Sequence, residues 1–195
     1  ISSLASVDIN LFASVFGNVF RSTNNGTNWN VLNTPWANYS EVTAMAGLGI
    51  ILCVGNDGGS IFNSADYGSS WSGGAGSFVA SSFIRLGPNF FAGSNGSGVF
   101  LSTDDGTSWS AVNNGLTNHN VLSLAVSGTN LFAGTSNGVF LSTNNGTNWT
   151  AVNNGLTILN VRSFAVSGTN LFAGTSGGGV FLSTDNGTNW VAVNE

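Results

Sequence analysis

The chain has 195 residues, 42% of them hydrophobic and only 6% charged, with a formal net charge of −5. The hydrophobic share supports a packed core and argues against disorder, whereas an acidic chain whose only cations are Arg21, Arg85 and Arg162 offers little to nucleic-acid phosphates or an anionic membrane surface. The lone Cys53 excludes an intrachain disulfide framework, and its apolar setting, Ile50-Ile51-Leu52-Cys53-Val54, reads as a buried inert thiol.

In chain order, the sequence divides into five similar units that begin at Ile1, Val42, Ala80, Val121 and Val161. The first ends in a linker that carries Trp36 and Tyr39. The second contains the longest weakly polar stretch, Ala44 to Gly55; with 12 residues and three glycines it falls short of the length of about 20 that a transmembrane helix needs. The third carries Ile84 and Arg85 on its first strand. The fourth shows the plan most plainly, with strands predicted over Val121–Ser127, Asn130–Gly134, Gly138–Thr143 and Asn148–Asn153. Breaks of Ser-Gly-Thr, Thr-Ser-Asn-Gly and Asn-Asn-Gly-Thr separate them, each with Gly or Asn for positive φ. The fifth repeats Val121–Gly134 from Val161 with two changes.

β-Branched and aromatic residues fill these strands, and no 3.6-residue periodicity is long enough for a helix. Four short strands in each unit of about 40 residues are the signature of propeller blades, whereas parallel β-solenoids use shorter coils. The expected fold is all-β: one five-bladed β-propeller over 1–195, four antiparallel strands per blade, with blades near 1–34, 35–76, 77–114, 115–154 and 155–195. The start at Ile1 and the close at a blade boundary fit a piece of a larger protein. A lysine-free composition rich in Asn, Thr, Ser and Gly fits an extracellular or cell-surface setting.

The third turn of every unit carries an eight-residue box: Ser22-Thr-Asn24-Asn-Gly26-Thr-Asn-Trp29, Ser64-Ala-Asp66-Tyr-Gly68-Ser-Ser-Trp71, Ser102-Thr-Asp104-Asp-Gly106-Thr-Ser-Trp109, Ser142-Thr-Asn144-Asn-Gly146-Thr-Asn-Trp149 and Ser183-Thr-Asp185-Asn-Gly187-Thr-Asn-Trp190. It resembles the Asp-box, S-x-D-x-G-x-T-W, of bacterial neuraminidase repeats and related propellers. The departures are Asn24 and Asn144 at the acidic position, and Asn or Ser at the seventh. The resemblance implies structural staples that join the third and fourth strands of each blade. Side-chain chemistry agrees: Asp or Asn accepts backbone amide bonds across a tight turn, and Gly takes a conformation that side chains disfavour. Trp then opens the outermost strand and wedges between hairpins, burying about 150–250 Å². Calcium at Asp104, Asp105 or Asp185 would need six to eight converging oxygens, and the boxes are expected to point away from one another. No metal or other cofactor is expected.

Units three and four are nearly identical from Gly106–Gly134 against Gly146–Gly174. Outside the box and its neighbour they differ at Asn118/Ile158, His119/Leu159, Leu122/Arg162 and Leu124/Phe164, all in the inter-blade linker or at the start of the innermost strand. Variation on one rim of a rigid scaffold points to recognition. The candidate ligand-binding residues are Trp36, Tyr39, His119, Arg162 and Arg85, although Trp36 replaces a leucine and also reads as inter-blade packing. Aromatic rings and Asn amides suit sugar hydroxyls, so the expected role is a non-catalytic extracellular module that binds glycans through this rim. A structural or protein-docking unit of a larger surface protein is the alternative.

Enzyme chemistry is poorly supplied. Neuraminidases of the resembled family use an arginine cluster, a Tyr/Glu nucleophile pair and an acid/base Asp. Here Arg21 falls on a third strand, and alignment sets neither Glu41 nor Glu195 beside Tyr39 or Tyr67. The remaining candidates for a paired-carboxylate hydrolase, such as Asp8 and Asp57, occupy turns of different units.

Overall fold

Turn residues cut the chain into short strands, which the computed structural model arranges as five antiparallel sheets of four; residues 1–36, 40–74 and 77–194 are described. Sheet one comprises β1 (Ser3–Val7), β2 (Asn10–Val15), β3 (Asn18–Ser22) and β4 (Asn30–Val31). Sheet two comprises β5 (Val42–Leu48), β6 (Ile51–Asn56), β7 (Ile61–Ser64) and β8 (Ser72–Gly73). Sheet three follows with β9 (Ala80–Leu86), β10 (Asn89–Ser94), β11 (Gly98–Ser102) and β12 (Ser110–Ala111). Sheet four holds β13 (Val121–Ser127), β14 (Asn130–Thr135), β15 (Gly138–Ser142) and β16 (Thr150–Ala151). Sheet five holds β17 (Val161–Ser167), β18 (Asn170–Thr175), β19 (Gly179–Ser183) and β20 (Val191–Ala192). Within each sheet, spatial order follows chain order.

The chain packs as two compact units, Ile1–Phe90 with Ser102–Trp109, and Phe91–Leu101 with Ser110–Glu195. In the first, Val7, Phe12, Val19, Trp36 and Met45 form one apolar cluster, and Leu48, Cys53 and Phe90 form another with Phe83 and Trp109 against it. In the second, Phe132, Val139, Leu171, Phe181 and Trp190 are packed together. Sheets four and five approach so closely that a Cβ on Gly134 would lie 2.8 Å from Val161 Cγ1.

The fourth strand is shorter than the residue pattern predicts: two residues, Thr150–Ala151, in place of Asn148–Asn153. A side chain ends it. Val152 N–H donates to Val139 O at 2.9 Å, and Asn153 Oδ1 then accepts the Val139 N–H at 2.7 Å, completing the pairing without further backbone. Asn113 does the same for Val99 at 2.7 Å, and Asn194 for Val180 at 2.6 Å. The box tryptophan therefore precedes the outer strand instead of opening it.

All five boxes close alike. The Ser hydroxyl accepts the Gly N–H at 2.7–2.9 Å, and the Asp or Asn Oδ1 accepts the Ser hydroxyl and the N–H of the seventh residue. Where the third residue is Asp, the seventh side chain donates to its second oxygen: Ser70 to Asp66 and Ser108 to Asp104 at 2.6 Å, Asn189 to Asp185 at 2.7 Å. The residue before the Gly is also left-handed, with φ of 52–59° at Asn25, Tyr67, Asp105, Asn145 and Asn186. Asn and Asp tolerate that region best, which accounts for four of the five.

These bonds hold the Asp66 and Asp104 carboxyls down at about 2 from the usual 3.8, chiefly through Ser70 and Ser108, and Asn189 lowers Asp185 in the same way. Because the folded values lie below the unfolded ones, their stabilisation is complete above about pH 4 and is lost as pH falls through about 2. Thermal melts should therefore fall between pH 4 and pH 2, and a triple Asp66→Asn, Asp104→Asn, Asp185→Asn variant should flatten that fall. A variant that keeps the full acid dependence removes this account.

The tryptophans do not behave as five equal staples. Trp149 is 4% exposed and Trp190 is also buried, with their indole N–H groups on Val112 O at 2.7 Å and Val152 O at 2.8 Å. Trp71 and Trp109 are half-buried, and Trp29 is 38% exposed with its N–H turned back onto Gly26 O of its own box. Within its unit Trp29 has no preceding outer strand to receive it.

Candidate functional site

Within each compact unit the turns between second and third strands bond to the linkers and first-strand starts, as Val42 N–H does to Phe16 O and Gly138 N–H to Leu159 O, and this end of the sheets is the linker rim. In the first unit the Phe16-Gly17 turn is braced from below: Val42 N–H donates to Phe16 O at 3.2 Å, and the Trp36 indole donates to Gly17 O at 3.1 Å. Trp36 itself is buried, its ring 4.5 Å from Phe62 and edge-on to Trp71 at 5.0 Å. At 6% exposure the ring is taken up by packing. Tyr39 lies outside the described residues.

The rim instead presents Phe16, a residue that sequence reading passed over because it stands in a turn. Its side chain is 72% exposed and its φ is +53°, a region bulky residues avoid. A cleft of about 230 Å³ lies beside it, lined by Ile1, Ser2, Val15 and Glu41. Glu41 is fixed by paired bonds with Asp57, N–H to Oδ1 and Asp57 N–H to Glu41 O, both at 2.9 Å. The available signal was an aromatic residue next to Gly in a turn that holds Asp57, Asn95, Ser136 or Ser176 in the other units.

In the second compact unit, in the linker between sheets three and four, His119 is exposed, and its carbonyl accepts the Gly96 and Gly98 N–H groups at 3.0 and 2.9 Å. Arg162 is exposed at a β-bulge, where the β17 register jumps between Val161 and Ser163. Bulges re-aim side chains, and the same irregularity recurs at Leu122. Arg85 occupies the other end of its strand, beside the Gly87-Pro88 turn. There its Nε–H donates to Gly87 O at 2.8 Å and its guanidinium stands 5.7 Å from the Phe90 ring centre. It is therefore a hairpin-end residue, held away from the linker end.

One pairing that alignment does not supply is present. Tyr67 donates its hydroxyl to Asp8 Oδ2 at 2.6 Å, and Arg21 stands 5.1 Å over the Tyr67 ring. The hydrogen bond to Asp8, then the Asp8 charge, raises the Tyr67 pKa, so the phenol stays protonated. That is the reverse of nucleophile activation, and the trio works as a latch from Asp8 and Arg21 onto a left-handed box residue. Cys53 is buried, its thiol pushed up to about 12 by burial and then by Asp105. Among the described residues no group of three His, Cys, Asp or Glu gathers to hold a metal, and no helix is long and apolar enough to cross a membrane.

A family model described as DUF6242 beta propeller domain matches residues 87–195. No curated protein matches the chain. Among solved structures, YCF48 bound to D1 peptide is 16% identical with a TM-score of 0.74, covering 97% of this chain and 65% of that one. The Niastella koreensis GH74 enzyme is 18% identical with a TM-score of 0.69, covering 99% and 31%. The extracellular domain of BT4673 from B. thetaiotaomicron is 16% identical with a TM-score of 0.74, covering 93% and 26%. The chain thus spans less than two thirds of each of these proteins, and identities this low speak for the fold alone.

Proposed function

Since the chain belongs to the DUF6242 beta propeller domain family, whose description names a fold and no reaction, we propose its role from the rim itself: a non-catalytic binding module that docks a peptide or protein. Its five four-stranded sheets are the blades of a five-bladed β-propeller. The uniform box geometry supports reading the third turns as Asp-box repeats, and the composition, with BT4673 as an extracellular neighbour, supports a surface setting.

Phe16 carries the reading. A bulky side chain in the left-handed region costs about 1–2 kcal/mol, and exposing the ring to water offsets none of it. An apolar ring beside a cleft walled by Val15 and edged by the Glu41 carboxylate suits an apolar peptide side chain followed by an amide or a cation. YCF48, a neighbour of the same fold, was solved with a peptide. A rim glycan site would lack Trp36 as a platform, because that ring is buried.

Peptide display and a glycan array, run side by side on the wild type and Phe16→Gly, test this. Displayed peptides should bind the wild type, and Phe16→Gly should weaken them about tenfold or more. The same substitution should raise stability by about 0.5–1 kcal/mol, because it relieves the strained φ. Peptide binding that ignores Phe16→Gly, or binding to glycans alone, overturns the reading.

A further inference from the structure

The linkers after sheets three and four lie against the following box. Gly115 and Gly155 have φ of 81° and 88°, and a Cβ on either would run into the carbonyl of Trp149 or Trp190. This close fit lets Trp149 N–H reach Asn114 O and Trp190 N–H reach Asn154 O, both at 2.8 Å. The linker after sheet one reads Asn33-Thr34-Pro35-Trp36, so proline stands where the others have that glycine. Proline is fixed near −65°, cannot take a positive φ and holds its ring where the carbonyl would press. The lock is missing there: Trp71 N–H makes no such bond to Thr34, and the Trp71 indole donates one residue later in register, to Asn33 O at 3.2 Å.

A cleft of about 240 Å³ opens in its place, walled by Asn33, Thr34, Pro35, Ser69, Ser70 and Trp71. Its size is roughly eight waters' share of liquid volume and falls below the usual drug-sized pocket. Among the described residues no charged side chain lines it, which removes ligands recognised by charge. Thr34 is only 5% exposed, yet among the described residues its hydroxyl has no hydrogen-bond partner, an uncommon state for a buried polar atom. Ser69 and Ser70 commit their protons to Asp66 at 2.9 and 2.6 Å but keep oxygen lone pairs. Ring surface comes from Pro35 and the half-buried Trp71.

We propose that this cleft binds one neutral sugar ring. Each sugar hydroxyl both donates and accepts, matching the unspent Thr34 hydroxyl and the serine oxygens, while the C–H face of the ring packs on Trp71 and Pro35. This cleft shares no lining residue with the cleft beside Phe16 and does not rest on the rim reading. Binding by so small a cleft should be weak, with Kd on the order of 1 mM.

The test is NMR of the indole N–H groups, with the Trp71 signal assigned through Trp71→Phe. D-glucose, D-galactose, D-mannose and N-acetyl-D-glucosamine are titrated singly, with glycerol as the control polyol. At least one sugar should move the Trp71 signal saturably. Pro35→Gly, which restores the lock seen at Gly115, should abolish that shift while melting no lower than the wild type. Should Pro35→Gly fail to fold, Thr34→Val, which removes only the hydroxyl, must weaken the shift severalfold. No shift with any sugar, an equal shift with glycerol, or a shift that survives Pro35→Gly or Thr34→Val overturns the proposal.

Discussion

Trp149→Ala should cost about 3–5 kcal/mol, the range for deleting a large buried aromatic, while Trp29→Ala costs about 1 kcal/mol or less. The two boxes have the same eight residues, so local sequence predicts equal effects. Their surroundings differ. Trp149 is 4% exposed and donates to Val112 O at 2.7 Å; removing it opens a cavity and strands that carbonyl. Trp29 is 38% exposed and bonds only within its own turn. Equilibrium denaturation of the two variants gives the comparison, and equal losses would show that the box contributes as an isolated turn.

The second large effect belongs to Asn63. It is buried, accepts the Cys53 thiol proton on Oδ1 at 3.0 Å and donates from Nδ2 to Gly106 O at 2.6 Å. It thereby ties the second sheet to the third box. Asn63→Ala removes both bonds and leaves a void beneath Gly106, for an expected cost of about 2–4 kcal/mol. Cys53→Val, which removes only a weak donor, should cost about 1 kcal/mol or less. With its pKa pushed up to about 12, the thiol should resist alkylation at neutral pH in the wild type and react faster in Asn63→Ala. Equal labelling rates in the two proteins would rule out Asn63 as the group that seals this site.

The blade plan was legible because it rests on local chemistry. Alternating apolar residues and Gly- or Asn-bearing turns place the first strand of the fourth unit at Val121–Ser127, the bounds that β13 has. Legibility fails where a partner distant in sequence decides the outcome. The outer strand stops at Ala151 because the Asn153 side chain takes the next bond, and no propensity carries that information. Trp36 read both as a ligand-binding candidate and as inter-blade packing, and the rings that meet it, Phe62 and Trp71, lie far along the chain. The Tyr67–Asp8 bond joins residues 59 apart, beyond the reach of a repeat alignment. Pro35 is visible in the sequence, but its meaning depends on the Trp149 carbonyl that lies against its glycine counterpart.

The two-residue outer strands have a consequence for colloidal behaviour. A sheet edge with unpaired backbone donors and acceptors invites a second chain to add a strand, and proteins commonly guard such edges with lysine or other charges. This chain has no lysine and only 6% charged residues. It guards its edges by brevity instead: β4, β8, β12, β16 and β20 each have two residues, and at Asn113, Asn153 and Asn194 the amide side chain occupies the donor that a longer strand would have paired. An incoming strand finds too few free positions in register to attach. Protection against strand addition thus rests on geometry at the sheet margins, with little help from electrostatic repulsion.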